Sequence, residues 1–105
     1  MKKIYLAVPY SADPNRGYFL ANNKAAELML QGNIVFSPIS HSHPISKQCD
    51  LPLDHDFWMQ QDLSFIEWCD ELYVLQLSCW EKSKNIKTEI EYAKKLGKPI
   101  KYIKS

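Results

Sequence analysis

Gln61-Asp62-Leu63, then Trp68-Cys69-Asp70-Glu71-Leu72-Tyr73-Val74-Leu75, then Ser83-Lys84-Asn85-Ile86-Lys87-Thr88-Glu89-Ile90-Glu91-Tyr92-Ala93 follow one another in a single run of the chain. Their succession decides the fold. The first piece ends a helix, predicted from Asp54 to Trp68, with Asp54 as N-cap and Met59, Leu63 and Ile66 in one apolar line. The second opens a strand from Glu71 to Leu77, apolar at adjacent positions and so suited to burial on both faces. After a loop from Ser78 to Asn85, the third forms a helix from Ile86 to Leu96 that Gly97-Lys98-Pro99 terminates. A loop-to-helix transition after a buried strand is where α/β proteins place ligand chemistry.

Outward from that run, Lys3 to Val8 reads as another doubly buried strand, closed by Pro9. Pro9 to Asn15 is a loop by composition. Arg16 to Gln31 carries Phe19, Leu20, Ala25, Ala26, Leu28, Met29 and Leu30 at helical spacing, with Gly32-Asn33 as its stop. Ile34 to Phe36 is a short strand, and Ser37 to Pro52, with Pro38, Pro44 and Pro52, is expected to be a long loop. Ile100 to Ile103 is the last strand. The β-α-β-α-β-α-β order predicts a small three-layer α/β domain of Rossmann-like, flavodoxin-like type over residues 1–105. Its parallel sheet has about four strands ordered 2-1-3-4, with helices on both faces. Strands 1 and 3 then flank the point where strand order reverses. Three loops meet there: 9–15, 37–52 and 78–85.

Composition narrows the function classes. The 105 residues carry 13 basic and 12 acidic side chains, so no charge excess points to a nucleic-acid partner. No window approaches a membrane span, and an apolar signal segment is interrupted by Pro9. Cys49, Cys69 and Cys79 are odd in number and lack a CxxC, which predicts a reduced, cytoplasmic protein. His41, His43 and Cys49 match no zinc spacing, so no metal is expected, and no cofactor motif is present.

Four residues stand out chemically. Asp62 has Trp58, Met59, Phe65 and Ile66 as its helical neighbours, so its carboxylate lies in or beside an apolar stripe. Desolvation there would raise its pKa toward that of a general acid, although an edge position with a capping role fits the same spacing. Glu89 adjoins the buried line of Ile86, Ile90 and Ala93, whereas Glu91 is rotated off it. Ser83 precedes a helix start, where it serves either as an N-cap or as part of an anion site. Trp80, in the loop at the reversal point, is placed to pack or to stack on a base.

Together IYLAVPYS, FSP, FWxxxD, QQDL, CDELYVLQL, a Trp-containing loop, SxN and ExxxA resemble the nucleoside 2-deoxyribosyltransferase-like superfamily, and within it a small bacterial and phage family. The likeness runs through nearly the whole chain in order. It implies that Glu89, in ExxxA, is the nucleophile, that Asp62 serves the base and its protonation, and that Tyr5 hydrogen-bonds near the catalytic carboxylate. Ser83 stands where nucleotide hydrolases keep a phosphate-binding serine, and Tyr10, Ser11, Asn85 and Trp80 complete the implied substrate contacts. Asn85 and Lys87 replace glycines of the pattern, and Asn tolerates the left-handed conformation better than other side chains. The implied activity is N-glycosidic bond cleavage, by hydrolysis or base transfer, on a nucleoside or its 5'-monophosphate. The alternative is a non-catalytic nucleotide-binding module. The resemblance also allows a homo-oligomer.

Overall fold

The computed structural model describes residues 1–9, 14–52 and 54–105. Tyr10 and Ser11 lie outside the described residues. The elements are β1 (Lys3–Ala7), α1 (Pro14–Leu30), β2 (Ile34–Phe36), α2 (Pro38–Cys49), α3 (His55–Trp68), β3 (Glu71–Leu75), a 3-10 turn (Trp80–Lys82), α4 (Lys84–Lys95) and β4 (Ile100–Ile103). All strand pairs are parallel and the order is β2-β1-β3-β4, as the alternation of elements predicts.

Side chains of β1 alternate between two cores, as the period of a strand requires. Ile4, Leu6 and Val8 pack with Ala21, Ala25 and Leu28 of α1 and Ile39 of α2. Tyr5 and Ala7 face the other way, with Ile66, Cys69, Leu72, Val74, Ile86 and Ala93. This register aims Tyr5 at α3 and α4. Helices thus cover both faces, α1 and α2 on one and α3 and α4 on the other.

Two elements depart from expectation. The inner stripe of α1 is Gly17, Ala21, Ala25 and Leu28, while Phe19, Met29 and Leu30 are exposed. Small residues on that stripe let the helix axis approach the sheet, which a stripe of large side chains would hold off. The second departure matters more for function. Residues 38–49 form a 12-residue helix where a loop was expected. Pro38 starts it at a position where the missing N–H costs nothing. Pro38, Ile39 and, one turn on, His43 are its buried residues. Pro44 lies inside the helix and removes one backbone bond, so composition argued against an element that three buried side chains hold in place.

The inner lines of the other helices carry the acids. In α3 the buried residues are Met59, Asp62 and Ile66; in α4 they are Ile86, Glu89 and Ala93. Asp54 caps α3 by accepting from the Phe57 N–H at 3.2 Å. Gly97, at φ 73°, ends the α4 turn in a conformation that favours glycine. No helix among the described residues is long and apolar enough to cross a membrane.

Candidate active site

A cavity of about 460 Å³ opens at the C-terminal end of β1, bordered by Val8. One wall comes from α2, through Pro38, Ile39, Ser42, His43 and Ser46. The opposite wall comes from α3, through His55, Trp58 and Asp62, and from the start of α4, through Lys82, Ser83, Lys84, Asn85 and Glu89. It lies where the sheet order reverses between β1 and β3, and the helix α2 occupies the place of the predicted 37–52 loop.

Asp62 and Glu89 are 7% and 3% exposed, so both carboxyls are core residues that still reach the cavity. The fully buried Tyr5 donates its hydroxyl hydrogen to Glu89 Oε2. Asp62 has no hydrogen-bond partner among the described residues. The two acids therefore differ in surroundings although both are desolvated. Burial pushes Asp62 up to about 7. Burial also pushes Glu89 up to about 8; the Tyr5 O–H works against that rise, and the nearby Asp62 charge adds to it. Tyr5 itself is held well above its ordinary value, by burial first and then by the Glu89 and Asp62 charges. The phenol stays protonated and remains a donor to Glu89.

These values place the pair's titrations near neutral pH. A site holding one proton between two carboxyls can offer a nucleophile and an acid at once, and a hydrogen bond to the ionised form selects which is which. The Tyr5 donor lowers Glu89 without bringing it below Asp62, so the pair keeps its proton mainly on Glu89, and the form with Glu89 ionised and Asp62 protonated is its minor tautomer.

The start of α4 carries a cluster of polar groups. Ser83 Oγ accepts from the Ile86 N–H at 3.3 Å, which makes it the N-cap, and the same residue borders the cavity. Asn85 Oδ1 accepts from His55 Nδ1 at 2.6 Å. His55 Nε2 lies 3.4 Å from Thr88 Oγ1, whose own hydrogen goes to the Lys84 carbonyl at 3.0 Å. Asn85, in the place of a glycine of the family pattern, is thus tied to α3. Lys82 and Lys84 bracket Ser83 on the cavity wall. Helix N-termini with lysines beside them favour anions.

Trp80 is placed elsewhere. Its ring packs on Tyr102, with centroids 5.4 Å apart, and against the α3–α4 core, and it does not border the cavity. Cys79, at φ 63°, reverses the chain just before the 3-10 turn that carries the indole. Base stacking by Trp80 is therefore corrected to packing on β4. His41 and His43 diverge, the first on Phe36 and the second on Tyr18. Among the described residues, no group of three or more His, Cys, Asp or Glu could hold a metal ion. Sequence reasoning did not single out His55, Lys82 or Lys84. His55 follows the N-cap Asp54, and a helix start facing a cavity was its only available signal.

The fold is that of the nucleoside 2-deoxyribosyltransferases. A 2-deoxyribosyltransferase from Bacillus psychrosaccharolyticus superposes with a TM-score of 0.69 at 22% identity, over 97% of this chain and 72% of that one. A 2-desoxiribosyltransferase from Leishmania mexicana superposes with a TM-score of 0.67 at 19% identity, over 99% of this chain and 65% of that one. No curated protein matches the sequence. Residues 2–104 match the family described as "Domain of unknown function (DUF1937)", and the chain belongs to that family.

Proposed function

We propose that this protein cleaves the N-glycosidic bond of a (2'-deoxy)nucleoside 5'-monophosphate or nucleoside by way of a covalent glycosyl-enzyme. The observation that carries the reading is the pair of cavity carboxyls with unequal partners: Glu89 held by the Tyr5 hydroxyl, Asp62 with none. Glu89 Oε attacks the anomeric carbon as the bond to the base nitrogen breaks through an oxocarbenium-like transition state. The bonding electrons leave with the base, which takes the Asp62 proton. Water then attacks the anomeric carbon, giving its proton to Asp62 and freeing Glu89. A second base attacking in place of water makes the overall reaction a transfer. The N-terminus of the 12-residue α4, with Ser83, Lys82 and Lys84, supports a phosphate at the far end of the sugar. The likeness to deoxyribosyltransferases supports a deoxyribose.

A panel of deoxynucleosides and their 5'-monophosphates, assayed for free base, tests the reading. Glu89→Gln is expected to abolish release, and a 2'-fluoro-arabinosyl substrate, which slows the second step, should leave its sugar on Glu89 in the mass spectrum. Release that survives in Glu89→Gln would refute the mechanism. The second reading, a nucleotide-binding module without turnover, draws on Asn85, whose side chain occupies α4's first turn where the family pattern has glycine. Monophosphate binding in calorimetry with no base released from any substrate would select it.

A further inference from the structure

The α2 wall has no role in the chemistry above, and one of its side chains is built for recognition. His43 is 8% exposed, packs on the Tyr18 ring at 4.8 Å between centroids, and borders the cavity. Its Nε2 faces Asn15 Oδ1 at 3.2 Å. A carboxamide oxygen only accepts, so Nε2 carries a hydrogen, and in that tautomer the lone pair is on Nδ1. That nitrogen has no partner among the described residues. It is not among the buried unsatisfied atoms of the described residues, so this acceptor is open and can take a hydrogen bond from a ligand in the cavity that brings an N–H.

We propose that His43 reads the base, accepting a hydrogen bond at Nδ1 from an exocyclic amino group, so that adenine- or cytosine-type bases are taken over their oxo counterparts. The inference rests on the function proposed above. Three placements direct the base to this wall. Glu89, on the α4 side of the sheet, fixes the position of the anomeric carbon. A phosphate dianion has no hydrogen to give a lone pair, and Lys82, Ser83 and Lys84 supply an anion site on α4 instead. The remaining surface, α2 with Pro38 and Ile39 facing Trp58, is apolar enough for a heterocycle. An oxo group in place of the amino group would set two lone pairs against each other. A site built around a hydrogen bond rejects an analogue lacking the matching group more sharply than an apolar pocket rejects a small size change.

The experiment compares substrates alike in sugar and phosphate: dAMP against dIMP and dCMP against dUMP. For His43→Phe, which keeps a ring on Tyr18 and removes the acceptor, both amino-to-oxo ratios of kcat/KM are expected to fall at least about tenfold. Asn15→Ala, which leaves the histidine but frees its tautomer, should lower the ratios in the same direction, and circular dichroism checks that both variants fold. The same ratios, measured as affinities by calorimetry on Glu89→Gln with and without the His43 change, decide the inference independently of turnover. If no base is released by the wild type, the proposed reaction falls while these affinities still test His43. Ratios unchanged in a folded His43→Phe protein, in turnover and in binding, overturn the assignment.

Discussion

Replacing Glu89 by Gln should abolish catalysis and, at neutral pH, raise stability. In the unfolded chain this carboxyl titrates near 4.5, and in the native protein burial moves it to about 8. Between those values the native state holds a proton that the unfolded state releases, so its contribution is complete below about 4.5 and is lost as pH rises toward 8. From 4.5 to pH 7 the interval is about 2.5 units, and at about 1.4 kcal/mol per unit the loss is about 3 kcal/mol. For a domain of this size that is on the order of 10 °C in melting temperature. A glutamine is neutral throughout, can still accept from Tyr5, and exposes its amide hydrogens to a cavity wide enough for water. Thermal unfolding followed by circular dichroism at several pH values from 5 to 8 gives the measurement. The variant and the wild type should lie close at pH 5 and diverge as pH rises, with the variant melting higher at pH 7.5. A shallower decline should persist in the variant, because Asp62 titrates near 7 by the same desolvation. Two parallel curves, or a variant less stable at every pH, would refute the claim that Glu89 is a desolvated acid.

Activity should follow a bell-shaped curve in kcat/KM with apparent limits near 7 and 8, since the working form of the Asp62–Glu89 pair holds one proton; a flat profile from pH 6 to 9 would count against the pair. Tyr5→Phe removes the donor that opposes the rise at Glu89, so the alkaline displacement of the activity profile should be measurable and kcat/KM at pH 7 should drop roughly tenfold or more. Ser83→Ala should lower stability by about 1 kcal/mol in urea titration through loss of the α4 cap. Lys82→Ala with Lys84→Ala should raise KM for 5'-monophosphates roughly tenfold and change it little for nucleosides.

The sheet was legible because β1 and β3 are apolar at adjacent positions, which only burial on both faces explains, and because each is followed by turn residues and a helical period. Asp62 and Glu89 were legible for a related reason: each interrupts or adjoins an apolar line where a carboxylate is out of place. The line itself was read one step off. Leu63 and Ile90 were expected on the inner faces, and the structure gives those places to the acids while both apolar residues are only partly buried. The α2 wall was hidden because its sequence contains two prolines and buries little besides Pro38, Ile39 and His43. With it went the opposing side of the cavity, including His43. His55 and Asn85 could not be paired beforehand, since they are 30 residues apart and meet only when α3 and α4 pack.

The placement of the two acids has an energetic logic. Met59-Asp62-Ile66 and Ile86-Glu89-Ala93 share one pattern, an acid with a buried apolar residue a turn before it and a turn after it. The flanking residues fix each helix on the sheet, so each carboxyl inherits the rigidity of a core position instead of the freedom of a loop. That rigidity keeps Glu89 within reach of Tyr5, and the burial that goes with it pushes Asp62 up to about 7. The same burial makes both residues destabilising once ionised. A proton shared by the pair spares the domain from burying two charges at once.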